Sequence, residues 1–307
     1  MTPTKTRQAL LLVHPRAFRH SLASKLLRHL ETEFEVRTEE SRHAGHTSEI
    51  CRDLLVDFEG IVITAGGDGT FHEAVNAWAD LGFPSGPRFA PLPLGTGNDF
   101  LYSVDARLRE ASVFLQHPLT RAAEADLGRV TFQTPDGPRS RFFCVGATAG
   151  FSALVTYRRS LLAARIPGNL SYLLALFISL SSWKNTSCRL ESPGFRTDDA
   201  VFFNVNCANV RHYGGGMISA PRADAFAGRL DGVSMNLTLA EVFKALPQNF
   251  RGNFDAVPNV RQFAINDPLT ITTGRACPVQ ADGELLGETP MTVECLPGRL
   301  PILLPEF

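Results

Sequence analysis

Residues 60–70 read Gly-Ile-Val-Ile-Thr-Ala-Gly-Gly-Asp-Gly-Thr, a short apolar run that ends in three glycines set around an acid. No other segment limits the fold as tightly. A run this short and this apolar, Gly60 to Thr64, reads as a strand buried on both faces, and the pattern that starts at Thr70 is helical. Strand, glycine turn and helix in that order form one half of a parallel crossover unit. Small residues at such a turn leave backbone N–H groups unobstructed beside the positive end of a helix, which is an arrangement that binds phosphate. Asp68 lies inside the turn. An acid there repels phosphate unless Mg²⁺ or a substrate proton compensates, which points to phosphoryl chemistry rather than anion storage. Neither the Lys of a Walker A loop nor GxGxxG spacing is present. The plainer reading is a turn with a solvated Asp.

The same alternation extends over the first third of the chain. Ala9 to Val13 reads as a strand, Ser21 to Leu30 as a helix with leucines at helical spacing, Phe34 to Thr38 as a strand, Ser48 to Phe58 as a helix, and Arg88 to Leu94 as a fourth parallel strand. That last strand runs into a second glycine turn, Gly95-Thr96-Gly97-Asn98-Asp99, at the edge where open α/β sheets bind ligands. Two such turns can flank one nucleotide, and Asp99 reads as a helix N-cap or a ligand holder. Beyond about residue 120 the texture changes to short β runs: Ala122 to Leu127, Arg141 to Val145, Val201 to Cys207, Gly232 to Leu237, Leu269 to Thr273 and Thr289 to Glu294. The expectation is a Rossmann-like α/β domain over residues 1–120 and a mainly antiparallel β-sandwich over 121–307, whose last strand returns to the first domain. Leu170 to Trp183 is a helical exception, apolar almost all round, preceded by Arg158, Arg159 and Arg165. By itself it reads as a core helix.

Composition removes several classes of function. Thirty Lys and Arg against 31 Asp and Glu leave a net charge of -1, without the basic excess of a nucleic-acid binder. Six scattered cysteines without a CxxC pair read as reduced thiols of a cytoplasmic protein. Ala9 to Val13 is short for a signal segment, and no apolar stretch reaches the roughly 20 residues that span a bilayer, so any membrane contact is expected to be peripheral. No HxxxH or Cys/His grouping accompanies His72 or His212, which receive no catalytic role.

GGDGT at 66–70, GTGND at 95–99 and Asp282-Gly283-Glu284 together resemble the lipid kinases of the diacylglycerol kinase catalytic-domain family, to which sphingosine and ceramide kinases are related. Gly214-Gly215-Gly216, Ala220-Pro221, Leu230-Asp231-Gly232 and the glycine-phenylalanine segment Gly146 to Val155 extend the resemblance over nearly the whole chain. It implies a nucleotide domain like those of NAD kinase and phosphofructokinase, joined to a β-sandwich lipid domain, with ATP and Mg²⁺ in the cleft between them. Carried over by position, Gly66, Gly67, Gly69, Thr70, Glu73, Thr96 and Asn98 are expected to hold ATP, and Thr38 matches a nucleotide-contacting threonine. Asp68 is expected to organise Mg²⁺ and phosphates. Glu284 matches the family's general base. On the residues alone Asp282-Gly283-Glu284 is an exposed hairpin turn. Asp231 matches a residue near a structural metal, with Gly228 and Val233 adding backbone carbonyls.

The chain departs from the family in two places. The first loop is His14-Pro15-Arg16-Ala17-Phe18, where the family has Asn-Pro and small residues, so Arg16 would supply charge in place of bare backbone. Leu154 stands where sphingosine kinases resemble this segment with an acid, which favours a neutral lipid such as diacylglycerol. The resemblance makes the apolar helix a wall of an acyl pocket or a membrane contact. The expected partners are a lipid substrate, a membrane surface and, with no residue to specify it, a second copy in a homodimer. Two alternatives share part of the pattern: an NAD kinase-like enzyme, and a non-catalytic nucleotide- or lipid-binding regulator.

Overall fold

The computed structural model describes residues 7–163, 166, 169–238, 241–242, 248 and 252–307. The chain divides into two units, Met1–Ala125 with Gly214–Gly216 and Gly298–Phe307, and Asp126–Tyr213 with Met217–Pro297.

Unit 1 contains β1 (Gln8–Val13), α1 (Ala23–Glu33), β2 (Glu35–Glu40), α2 (His46–Leu54), β3 (Gly60–Gly66), α3 (Asp68–Asp80), β4 (Pro87–Pro93), α4 (Asp99–Val104) and the one-turn α5 (Val113–Gln116). The strands lie in the order β2-β1-β3-β4, all parallel. The end of the chain adds a further parallel strand beside β4, with Ile302 opposite Phe89. Leu10 to Val13 are buried to within 1% exposure, which explains the unbroken apolar run: helices cover both faces of a parallel sheet. Ala23, Leu26, Leu27 and Leu30 form the buried stripe of α1. Phe71 of α3 packs against Phe100 of α4 at 5.1 Å between ring centroids and against Phe89 of β4 at 6.3 Å.

Unit 2 is mainly antiparallel, in the β-sandwich manner. It holds the larger part of β5 (Leu119–Thr134), then β6 (Gly137–Phe143), β7 (Gly146–Gly150), α6 (Phe151–Ala163), α7 (Asn169–Ser182), β8 (Thr186–Ser192), β9 (Phe195–Phe202), β10 (Asn204–Ala208), the short pair β11 (His212–Tyr213) and β12 (Met217–Ile218), β13 (Leu230–Met235), β14 (Val260–Ile265), β15 (Leu269–Thr273), β16 (Pro278–Ala281) and the first part of β17 (Glu284–Pro305). One strand path runs β14-β13-β10-β7-β16-β17, and β17 also pairs with β15 and β5, which lead on to β8, β9 and β6. Phe202, Ile271, Val279, Met291 and Val293 lie in its core. Phe151 stacks on Phe203 at 4.5 Å, and Trp183 meets both rings edge-on at 5.9 Å.

Several expected boundaries move for local reasons. The helix after the glycine turn starts at Asp68 rather than Thr70, because the Gly67 carbonyl accepts from Thr70 N (3.0 Å) and Phe71 N (3.3 Å) and so opens the helix two residues earlier. The run Val201 to Cys207 is two strands. They break at Phe203, whose N–H goes to the Met235 carbonyl and whose carbonyl accepts from Phe151 N, both at 3.0 Å. Thr289 to Glu294 is the middle of the 22-residue strand β17. All six cysteines are free and five are buried, with burial pushing the thiols of Cys51 and Cys188 up to about 12, so they are poor nucleophiles. Arg165 lies outside the described residues.

Candidate phosphate-binding site

β1 lies between β2 and β3, so the connections leaving β1 and β3 diverge, and open α/β sheets bind ligands beyond the carboxyl ends at such a switch point. Three loops meet there. His14, just after β1, donates its N–H to the Ala65 carbonyl at 3.0 Å. Its Nδ1 accepts from Arg16 N at 3.1 Å. Burial and then the Arg16 charge hold its ring below the usual histidine range, against an opposing pull from Glu73. The imidazole beside the turn is therefore neutral at pH 7. Arg16, the residue expected to add charge, is exposed.

The two glycine turns interlock. A Cβ on Gly95 would lie 2.3 Å from Gly67 Cα and 2.8 Å from Gly67 N, and one on Gly66 would lie 2.3 Å from Thr70 Oγ1. Around Gly69 a Cβ would meet nothing within 4 Å, so the turn is open on that side. Asp68 closes the pair: its Oδ2 accepts from Asp99 N at 3.0 Å and its Oδ1 from Phe100 N at 3.1 Å. Its charge is thus met in part by the first turn of α4. Asp99, 5% exposed, repeats the device on Gly214–Gly216 of the same unit. It accepts from Gly215 N at 2.9 Å and from Gly216 N at 2.7 Å.

Among the residues expected to hold nucleotide, Gly66, Gly67, Gly69, Thr70 and Thr96 gather on these two turns. Thr96 and Gly69 are exposed, and Thr70 is buried at the helix start. Asn98 belongs to the second turn, but its amide is engaged in shaping it, with Oδ1 accepting from Gly95 N (3.2 Å) and Nδ2 donating to Gly95 O (3.1 Å). Glu73, one helical turn into α3, accepts from Gly45 N at 3.2 Å. Thr38 sits exposed in β2, opposite Leu11 of β1 and therefore two strands from Gly66.

In unit 2 the Asp282-Gly283 pair is a two-residue hairpin between β16 and β17, with Ala281 opposite Glu284 and φ of +47° and +85° at the two turn residues. Asp282 does more than turn the chain. Its carboxylate accepts from Cys144 N (2.7 Å), Val145 N (3.0 Å) and Gly146 N (2.9 Å). Glu284, which the hairpin carries, is exposed, and its Oε2 lies 3.0 Å from Arg141 Nε. Gly283 N donates to Gln280 Oε1 at 2.9 Å, and Gln280 Nε2 donates to Thr148 Oγ1 at 2.7 Å. Thr148 pairs with Ser152 Oγ at 2.9 Å, and Asn204 Oδ1 accepts from Ser152 N at 3.0 Å at the start of α6. Sequence reasoning misses this chain. Its one signal is a glutamine in an otherwise apolar strand, fully buried in the fold.

Asp231 is 5% exposed, and its Oδ2 lacks a hydrogen-bond partner, with Arg229 Nε at 3.7 Å. Burial pushes its carboxyl up, against the pull of Arg229 and Arg222. Gly228 N donates to Asp126 Oδ2 at 2.6 Å. Val233 lies mid-strand between Asn206 and Gln262, so its carbonyl points at a paired neighbour.

Two outcomes are expected. Asp282→Asn keeps a residue that tolerates positive φ but sets an NH₂ against backbone N–H groups. It should lower unfolding free energy by about 1–3 kcal/mol in urea titration. Gly95→Ala forces two backbones apart and should weaken the ATP binding expected of these turns by at least about tenfold, or roughly 1.4 kcal/mol, in calorimetric titration, with far-UV circular dichroism unchanged.

Residues 8–130 match the diacylglycerol kinase catalytic domain, and residues 146–304 match the YegS C-terminal NAD kinase beta sandwich-like domain. A probable lipid kinase YegS-like protein of Yersinia enterocolitica is 28% identical over 246 residues, covering 80% of this chain and 78% of that protein. Its counterpart in Yersinia pseudotuberculosis serotype O:1b is 29% identical over the same length and shares. A solved structure of a putative diacylglycerol kinase from Bacillus anthracis superposes with a TM-score of 0.73 at 21% identity, covering 98% of both chains. A second from that organism gives 0.71 at 22% identity over 97% of each. The likeness to these structures concerns the fold. With both domain families matched in order along the chain, the protein belongs to the YegS-like lipid kinases of the diacylglycerol kinase catalytic-domain family.

Proposed function

We propose that the chain transfers the γ-phosphate of ATP to a hydroxyl of a neutral lipid, with diacylglycerol as the acceptor. The observation that carries this reading is the interlocked pair of glycine turns at the switch point of the unit 1 sheet, which leaves Gly69 and Thr96 open beside the N-terminus of the 13-residue helix α3. Backbone N–H groups there would bind the phosphates and meet the charge that develops on transfer. Asp68 has the oxygen donors that suit Mg²⁺, a hard cation that takes one or two carboxylates and fills its remaining positions with phosphate and water. Bound there, Mg²⁺ would neutralise phosphate charge. Glu284 is the proposed base for the lipid hydroxyl, with Arg141 fixing the direction of its carboxylate. The orphaned buried oxygen of Asp231 fits a cation held also by the Gly228 carbonyl. Val233 has only a second carbonyl lone pair to add.

The lipid side of the proposal is supported by the outer face of one helix. In α7 Ser171 and Ser179 are buried, whereas Leu174, Phe177 (61%) and Ile178 are exposed. Tyr157 and Leu161 (60%) of α6 join them, so five of the eleven exposed large hydrophobics among the described residues lie on this helix pair. Arg158, which donates to the Ile178 carbonyl, and Arg159 stand in the same segment. The sequence reading of α7 as a core helix holds for one face alone. A helix that buries serines and exposes phenylalanine is arranged for an apolar surface outside the chain, and bilayer lipid is the surface a lipid kinase meets.

Labelled ATP, Mg²⁺ and mixed diacylglycerol micelles should yield phosphatidate, and NAD offered in place of lipid should stay unlabelled. Glu284→Gln should lower turnover by about 10²–10⁴-fold with ATP affinity within about twofold of the parent. A parent that binds ATP and lipid without turnover would establish the regulator reading instead. Leu161→Asp with Phe177→Asp should reduce co-sedimentation with anionic vesicles containing diacylglycerol at least about fivefold, from the lost apolar insertion, and spare activity on a short-chain soluble diacylglycerol. Unchanged vesicle binding would overturn the membrane role of this face.

A further inference from the structure

The segment His43-Ala44-Gly45-His46-Thr47-Ser48-Glu49, between β2 and α2 of unit 1, carries two imidazoles and a carboxylate at spacings of three. Gly45 adopts φ +84°, with open space where a Cβ would be, so it is needed for the turn and not for room. That left-handed step folds His43 back over the first turn of α2. The two rings stand 4.8 Å apart between centroids at 36°. His43 Nε2 lies 3.9 Å from Glu49 Oε2, and one donor atom from each of the three residues falls within 4.8 Å of the others.

We infer that His43, His46 and Glu49 form a binding site for a divalent transition ion of the zinc, nickel or copper class. Three considerations carry this. The first is the donor set: two imidazoles with one carboxylate suit zinc and its neighbours, whereas magnesium takes oxygen ligands, so this site is chemically distinct from any magnesium that accompanies nucleotide. The second is the tautomer. His43 Nδ1 lies 3.0 Å from the Ala44 carbonyl, a contact that an Nδ1–H makes, which assigns Nε2, on the side of Glu49, as the ligand atom. A backbone carbonyl behind a ligating histidine is also the usual outer partner in metal sites. The third is reach. Ligand atoms about 2.0–2.2 Å from a tetrahedral zinc are about 3.3–3.5 Å from one another, and His43 and Glu49 are exposed side chains free to close the last ångström or so by rotation. His46 gives up one bond on binding, because its Nδ1 accepts from Arg42 N at 3.0 Å and that lone pair passes to the ion. Three protein ligands leave the remaining position to water.

The site is fastened to the phosphate-turn helix. Gly45 N donates to Glu73 Oε1 at 3.2 Å and Ser48 Oγ to the Glu73 carbonyl at 3.1 Å. An ion seated here would stiffen the β2–α2 connection against α3, one helical turn from Thr70.

The test is calorimetric titration of the EDTA-stripped full chain with zinc chloride and separately with magnesium chloride, repeated on His43→Ala, His46→Ala and Glu49→Gln. All three positions lie on the surface segment, and circular dichroism in EDTA checks each fold. The expected result is one saturable zinc per chain, no magnesium heat at this site, and affinity reduced at least tenfold in each histidine variant and less in Glu49→Gln. Zinc should also raise the melting temperature of the parent and leave that of His43→Ala unmoved. Cobalt as a probe should give a visible absorption band that His46→Ala abolishes. Absence of saturable zinc binding, or zinc binding at the parent's affinity in either histidine variant, would overturn the assignment.

Discussion

The pairing of the two glycine turns in unit 1 depends on one contact: the backbone of Gly67 against the backbone of Gly95, closer than any side chain would allow. A single carboxylate holds it shut. Asp68 takes two N–H groups from the start of α4, Asp99 takes two from Gly215 and Gly216, and in unit 2 Asp282 takes three from residues 144–146. In each case an ionised acid serves backbone N–H groups that have no partner in a sheet or helix. Hydrogen bonds of this charge-assisted kind are roughly twice as strong as neutral ones. A fold whose functional loops are glycine-rich has few side chains to pack there, so short aspartates do the packing electrostatically.

This resolves the puzzle that an acid poses inside an anion-binding turn. From the sequence, Asp68 demands a cation. In the fold much of that demand is met locally, by two N–H groups and the positive end of a six-residue helix. Asp68 therefore joins the first turn of α4 to the glycine turn, and any share in holding magnesium would come through the lone pairs its backbone partners leave. Asn98 follows the same logic with a neutral amide, closing on Gly95 at φ +55°.

How much of this was legible follows from the range of the forces involved. The parallel half was readable because its evidence is local: apolar runs four or five residues long, glycine punctuation and leucines at helical spacing. Both glycine turns were found for the same reason. Helix α6 was not, because β7 passes into it at Gly150 without an intervening loop. The three N–H groups on Asp282 join residues more than 130 positions apart, and the Gln280–Thr148–Ser152–Asn204 chain spans as much. No periodicity records such partners. Asp282-Gly283 looked like a hairpin turn and is one; what the sequence concealed was how firmly that hairpin is gripped.

The face of α6 and α7 follows from the same energetics with the opposite sign. Fully burying a Leu, Ile or Phe side chain is worth about 1.5–3 kcal/mol, and Leu161, Phe177 and Ile178 are left at 40% exposure or more while Ser171 and Ser179 occupy the interior. The buried face of α7 carries the serines beside Ala175 and Leu180, and Arg158 ties α6 to the Ile178 carbonyl in the present orientation. An apolar face withheld from the core retains several kcal/mol of transfer free energy for whatever covers it. In a lipid kinase whose charge is close to neutral, long-range attraction to a surface is weak, and in the membrane role proposed for this face apolar insertion would be the term that remains.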